Sequence, residues 1–390
     1  MAAAIRTDPD GVLRAEVVIV GAGMAGASLA AALAPHRSVV LLEAEERPGM
    51  HATGRSAAMF FESYGNETIR ALTRASRDFL LDPPAGFAAG PLLARRDCLF
   101  VADAARAGGL DAVAALPGTV RLAAAEARAR VPILDPAWLA GAVLDTSGFE
   151  IDVAALHDGF LRQATRAGAR LVPGARELAV ERRDAGWRLA TTAGTVEASV
   201  LVDAAGAWAD DVAVRAGVAP VGLVPMRRTA LLVPAPAGLD IARWPLVIDV
   251  DETFYFKPDA GRLFLSPANE DPSAPCDAVP DELDVALAVD RFERATTHRV
   301  ARVEHRWAGL RSFVADRTPV VGTDGARPGF FWLAGQGGYG IQTAPALARA
   351  AAALLLGDDL PADVRREGVA AADLSPDRPG LQREAAMRAR

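Results

Sequence analysis

The sequence predicts a mixed α/β fold of two domains, one nucleotide-binding and one β-rich, and three observations carry that expectation. A strand, a glycine turn, a helix, a second strand and an acidic residue follow one another within residues 16–43. Another glycine turn, "GQGGYG", follows a strand at the far end of the chain. Between the two, residues 221–267 are strand-rich, with turns at "PAPAG" and "PDAG". A contiguous nucleotide domain does not need its second turn so distant. One assembled from separated segments around an inserted β-rich domain does.

Taken in order, Glu16–Val20 reads as a short buried strand, a β-branched run bounded by glycine. Gly21, Gly23 and Gly26 then give G-x-G-x-x-G: a tight turn, close approach to a pyrophosphate, and close packing of the helix Met24–Leu33. That helix turns its free N–H groups toward the phosphates. The strand Ser38–Leu42 ends at Glu43, whose carboxylate suits adenosine ribose hydroxyls and disfavours a 2′-phosphate. The unit is Rossmann-like, and by itself it leaves NAD and FAD both open. A helix over Asn66–Leu81 is broken by Pro83-Pro84, which begin a less regular region. Helical patterning returns over Asp152–Ala167, where Ile151, Ala155, Leu156, Phe160 and Leu161 share a face. Strands follow near Leu178–Glu181, Trp187–Thr191 and Val200–Val202, and finally at Phe330–Leu333 before a helix over Ile341–Leu356. The distance between the two glycine turns favours FAD.

Composition narrows the class. The chain has 390 residues, 51% hydrophobic and 23% charged, which suits a large globular protein. A net charge of −7 gives no reason to expect nucleic acid, and no apolar run reaches bilayer-spanning length. The opening "MAAAIRTDPDGVLRA" lacks the apolar core of a signal peptide and reads as a frayed extension. Cys98 and Cys276 are too few for a disulfide framework or a zinc site, and a cytoplasmic location is expected. Lys257 is the only lysine, which we read as codon bias. No metal site is expected: His51 lies in a loop after the first unit, and His36, His157, His298 and His305 read as surface or capping residues.

The segments "GAGMAGAS", "LLEAEERPGMHATGRSAA", "YGNETIRALTRASRDF", "LVDAAGAWAD", "FYFKPDAG", "HRWAGLRSFVAD" and "FFWLAGQGGYGIQTAPA" resemble those of the D-amino-acid oxidase and glycine oxidase superfamily. Within it the chain looks most like bacterial FAD-dependent D-amino-acid dehydrogenases of the D-arginine dehydrogenase type. The resemblance implies FAD as cofactor. It implies an FAD-binding domain from residues 1–84, 148–220 and 315–390, and a substrate-binding domain from 85–147 and 221–314. It places Gly21, Ala22, Gly23 and Gly26 at the pyrophosphate, and Glu43 with Ala44 at the adenosine ribose. Thr53, Gly54, Arg55, Ser56, Ala57 and Ala58 would line the pyrophosphate, ribityl chain and one side of the ring, with Thr53 and Ser56 open to a second reading as loop caps. Backbone near Glu177 would meet adenine, and Ala204, Ala205, Gly206 and Trp208 would form a second turn. Gly309, Arg311, Gly337, Gly338, Tyr339, Gly340, Ile341 and Gln342 would surround the isoalloxazine.

On the substrate side the resemblance implies hydride transfer from an amino-acid Cα to flavin N5, and hydrolysis of the imino acid to a 2-oxo acid and ammonia. Arg228 and Arg311 match its carboxylate-binding arginines, a role suited to a planar fork of donors. Tyr64 and Tyr255 match its aromatic positions, and Gln342 completes the catalytic set. Met59, Phe61, Cys98 and Gly338 would line the pocket. Two positions depart from the pattern: Met59 stands where a histidine is usual, and Cys98 where the D-arginine type carries an acid. A one-residue slip to Asp97 would restore that acid. Without it, a guanidinium would be buried unpaired, so the expected substrate has a neutral or apolar side chain. The chain is thus expected to be a D-amino-acid dehydrogenase or oxidase, monomeric or weakly dimeric. Oxidation of another amine or acid (an N-methylated amino acid, an imino acid, a 2-hydroxy acid) or flavin binding without catalysis stay open, as does quinone or oxygen as electron acceptor.

Overall fold

Leu13–Val20 runs through the centre of the first of two nine-stranded sheets. The computed structural model describes residues 5–184 and 186–381. The buried half of this strand pairs in parallel with Val39–Leu42 on one side and with Gly194–Asp203 on the other. Asp203 lies far from Val20 in sequence, yet the two are in register. Phe330–Ala334 then joins Gly194–Asp203 in parallel, bringing the C-terminal glycine turn to the same edge as the first. The fold is therefore the expected mixed α/β one, its nucleotide sheet drawn from separated segments.

Helices cover both faces. Met24–Leu33, Val153–Arg166 and Gly340–Leu356 pack one face around Leu29, Leu33, Phe160 and Phe331, and Ala209–Arg215 lies with Trp187 and Trp332 on the other. Asn66 caps Glu67–Leu81 by accepting from the Ile69 N–H, and Asp152 caps Val153–Arg166 by accepting from Ala155.

Strands of residues 221–314 make up most of the second sheet, including Val224–Pro234, Tyr255–Asp259, Arg262–Ser266 and, along one edge, His305–Phe313. Its outer face packs on the helix Glu282–Ala295, where Phe256 and Phe292 meet edge to face at 5.1 Å. Each ring buried there stabilises the fold by about 2–3 kcal/mol.

Two expectations change. The region after Pro83-Pro84, turn-rich as expected, also carries strands: Cys98–Ala102, Thr119–Leu122 and Gly141–Asp145 belong to the second sheet, and Leu93–Arg95 pairs with Phe149–Ile151. Their short lengths hid them. The N-terminal extension is not frayed over its described part, because Arg6–Thr7 turns back on Leu13–Arg14, and the chain reverses at Gly11, φ +78°. Residues 1–4 of that extension lie outside the described residues. No helix among the described residues is long and apolar enough to cross a membrane.

Candidate active site

A cleft runs from the G-x-G-x-x-G turn to the strands of the second sheet. Gly21 has φ +98°, and a Cβ there would stand 2.4 Å from the Ala204 carbonyl oxygen, so the first turn lies directly on the second. A Cβ on Gly26 would meet the Gly21 oxygen at 1.9 Å, which fixes the helix against the turn. The first turn of Met24–Leu33 holds no acidic side chain, and Met24 and Ala25 line the cleft. Thr53 Oγ1 accepts from the Met24 N–H at 3.0 Å, so Thr53 caps this helix and ties the loop 49–58 to the fingerprint. Glu43 is buried and accepts from the N–H groups of Ala22 and Glu45 at 3.2 and 3.0 Å.

Gly23, Ala44, Ser56, Ala57, Glu177, Ala205, Gly206, Trp208, Gly309, Gly337, Gly340 and Ile341 also line the cleft. Ala22, Gly26 and Gly54 do not: they sit behind the wall as packing positions. Glu177 forms an ion pair with Arg215 at the cleft's outer end. Arg55 is a staple: it donates to the carbonyls of Met50, Ala278 and Ala308 and pairs with Asp277, joining the loop to the second sheet.

Where the cleft meets the second sheet, a cavity of about 710 Å³ opens between Tyr64, Tyr255, Arg228, Arg311, Gly338, Tyr339 and Gln342. Arg228 pairs with Gly309 and Arg311 with Met226 across adjacent antiparallel strands, so both side chains rise from one face. Arg228 is 9% exposed and committed, donating to the Asn269 carbonyl at 2.7 Å and to Glu270 at 3.0 Å. Arg311 differs: its Nη1 is buried without a hydrogen-bond partner. A Cβ on Gly338 would come within 3.0 Å of that nitrogen.

Charges follow from this geometry. Burial works to lower the Arg311 pKa, but the hydroxyls of Tyr64 and Tyr255 and the Glu270 carboxylate outweigh it, and the pKa rises. Burial works to raise that of Tyr255, and the Arg311 and Arg228 cations reverse it, so this phenol titrates below its ordinary value. Tyr339 is pushed up to about 12, by burial first and then by Tyr64.

The far end of the cavity is lined by Met59, Phe61, Cys98, Phe100, Leu246 and Ile248. Cys98 is 1% exposed, and burial, then the Asp145 carboxylate, pushes its thiol well up. Asp97 does not line the cavity; it pairs with Arg95 at 3.3 Å. Gln342 lines the cavity with its amide occupied at both ends, donating to Thr73 Oγ1 at 2.8 Å and accepting from the Phe61 N–H at 3.2 Å.

Residues 16–354 match the family described as "FAD dependent oxidoreductase". The chain belongs to that family. "FAD-dependent oxidoreductase domain-containing protein 1" of Bos taurus is 28% identical over 184 residues, 41% of this chain and 36% of that protein. The chain thus matches about a third of the length of the first of its curated relatives. Glycine oxidase of Geobacillus kaustophilus is 27% identical over 225 residues, 56% of this chain and 57% of that one. Its crystal structure superposes with a TM-score of 0.76 at 24% identity, covering 89% of this chain and 95% of that one. L-proline dehydrogenase from P. horikoshii gives 0.75 at 20%, covering 91% and 98%. These likenesses show the shared fold.

The cleft fits FAD: two glycine turns in contact, a helix whose own first turn holds no acidic side chain, and a buried carboxylate at the end of the second strand. No group of three or more His, Cys, Asp or Glu that could hold a metal occurs among the described residues.

Four contributors lay beyond the sequence reading. His157, read as a surface or capping residue, is 6% exposed, and its Nε2 lies 2.8 Å from the Ala22 carbonyl oxygen inside the fingerprint turn. Its signal was its place beside Leu156 and one turn before Phe160, on the buried stripe of its helix. Glu270 bridges Arg228 and Arg317, and Asp251 and Glu252 line the cavity mouth. Nothing local in the sequence marks these carboxylates.

Proposed function

We propose that this FAD-dependent oxidoreductase oxidises the Cα–N bond of a D-amino acid with a neutral or apolar side chain. The observation that carries the reading is the Arg311 guanidinium, whose buried Nη1 lacks a partner between two tyrosines where the cofactor cleft and the second cavity meet. An unsatisfied buried cation implies an anionic ligand, and an α-carboxylate matches its fork of donors. Arg311 holds that carboxylate, with the Tyr64 and Tyr255 hydroxyls flanking it as further donors. Arg228 does not compete for it, being held by Glu270 and Asn269, but its charge adds to the local field. Carboxylate binding at this point orients the substrate's Cα toward the glycine-lined end of the cleft. FAD, when bound, supplies the hydride acceptor.

The apolar far end then receives the side chain, and Cys98 with Met59 offers no countercharge there. Glu270 is neutralised by two arginines, and Asp251 and Glu252 are exposed at the mouth, where water screens them. The D configuration rests on the motif resemblance to D-arginine dehydrogenase-type enzymes. An anaerobic titration of the yellow protein with D- and L-amino acids tests the reading. Loss of oxidised flavin absorbance with D-Phe, D-Leu or D-Met but not D-Arg supports it. Bleaching by D-Arg or by L-amino acids, or by none of the panel, overturns it.

A further inference from the structure

Next to its apolar far end, the substrate cavity holds one polar group whose proton is already assigned. Cys98 pairs with Asp145 across the antiparallel strands Cys98–Ala102 and Gly141–Asp145, so the two side chains share a face. Asp145 is 1% exposed and does not itself line the cavity. Ser63 does, and its hydroxyl donates to Asp145 Oδ2 at 2.9 Å. The other carboxylate oxygen accepts from the Ser147 N–H at 2.8 Å and from the Ser147 hydroxyl at 2.6 Å. Nothing else among the described residues bonds the Ser63 hydroxyl.

A carboxylate only accepts, so the single proton of Ser63 is committed to Asp145. The hydroxyl therefore presents lone pairs to the cavity, an acceptor with no proton left to give. The walls around it are apolar, with Met59, Phe61, Cys98 and Phe100 among them. At about 710 Å³ the cavity is of a size that encloses drug-sized ligands, and a leucine or methionine side chain leaves much of it unfilled.

The count of donors on the side chain then decides the fit. A guanidinium brings five N–H donors and an ammonium three. Either would satisfy one at Ser63 and bury the others against apolar walls. A phenyl or aliphatic group brings none and leaves the Ser63 oxygen without a partner. A phenol adds an acceptor of its own that these walls do not serve. An indole brings one ring N–H on a flat, two-ring apolar body, which matches both the acceptor and the walls.

We infer that the amino acid taken by this site carries an indole-type side chain, its ring N–H donating to Ser63 Oγ while Asp145, a positioning residue, fixes the hydroxyl. The inference rests on the carboxylate docking at Arg311 proposed above and narrows the neutral class given there.

Two ligands read the contact without turnover: indole-3-propanoate and its benzothiophene isostere, in which sulfur replaces the ring N–H. Both lack the α-amine and cannot be oxidised at it. Titration calorimetry on the oxidised holoenzyme is expected to show the indole binding about fivefold tighter, the scale of one net hydrogen bond. In Ser63→Ala the two affinities should converge. Asp145→Asn should have the same effect by another route: its carbonyl oxygen stays with the Ser147 N–H, its amide donates to Ser63, and the freed hydroxyl proton turns to the cavity. Arg311→Met should weaken both ligands alike. Equal affinities in the parent, no binding by either ligand, or a preference that survives in Ser63→Ala overturns the inference. Affinities unchanged in Arg311→Met overturn instead the docking at Arg311, so the two failures are distinct.

Discussion

Arg228 and Arg311 rise from the same face of neighbouring strands, yet Arg228 donates to the Asn269 carbonyl and to Glu270 while Arg311 keeps a buried nitrogen unpaired. Under the proposed function, two residues that look equivalent in sequence divide the work, one receiving the ligand and the other setting the field around it.

Replacing Arg311 by Met is expected to lower kcat/KM by roughly a hundred- to a thousandfold, within the 2–5 kcal/mol range for losing one partner of a buried charge pair. FAD content should be unchanged. Arg228→Met should act mainly on stability, because it leaves Glu270 with Arg317 alone. Steady-state kinetics beside thermal melts separate the two; equal kinetic losses would contradict the division.

Tyr255 titrates below an ordinary phenol because the Arg311 and Arg228 cations overcome its burial. Its phenolate, once formed, would neutralise Arg311 and repel a carboxylate. Substrate affinity should accordingly fall as pH rises through this lowered pKa. In Tyr255→Phe the fall should vanish or move upward. KM measured from pH 7 to 11 decides it, and an alkaline limb identical in the variant would rule out Tyr255 as its source.

Thr53→Ala removes the cap on Met24–Leu33 and should destabilise the fold by about 1 kcal/mol. The loop 49–58 loses its tie to the fingerprint, so FAD should dissociate more readily. Fluorescence of released flavin during dilution measures this, and parent-like retention would assign Thr53 to stability alone.

Gln342→Leu leaves the Phe61 N–H buried without its acceptor, at a cost of about 1–3 kcal/mol. Denaturant unfolding should show that loss, with any change in kcat/KM arising through displaced Phe61. A variant as stable as the parent but inactive would instead place Gln342 on the substrate.

Glu150 has its carboxyl held below the usual range: burial works against this, and Lys257, then Arg96, prevails. A folded-state pKa below the unfolded one gives stability that is present above the unfolded value, near 4.5, and is lost as pH falls through the folded value. Glu150→Gln should flatten the acid side of the stability profile. Melting temperatures between pH 2 and 6 check it; an equally steep acid loss would point to other carboxylates.

The cofactor half of the molecule was legible because its rules are local. Gly21, Gly26 and Glu43 occupy positions set by strand–turn–helix geometry, and the helix Met24–Leu33 has the bounds its pattern predicts. The short strands between 93 and 145 were not, since each is stabilised by partners distant in sequence, such as Leu246–Asp249 beside Cys98–Val101. The same applies to the site's carboxylates. Glu270 matters because Arg228 and Arg317 converge on it, and no spacing in the sequence encodes that convergence. Asp97 and Cys98 show the opposite case: Cys98 opens a strand of the second sheet and lines the cavity, while Asp97, just before the strand, does not.

The nucleotide sheet joins Leu13–Val20, Gly194–Asp203 and Phe330–Ala334 edge to edge. During synthesis the first strand waits for some 180 residues before its second parallel neighbour emerges, and longer still for the strand that carries the last glycine turn. Such distant pairings are slow to form and leave strand edges open in the nascent chain. Biogenesis thus becomes a matter of timing, with flavin capture a terminal event and chaperone protection most needed by the N-terminal unit, which is finished first and completed last.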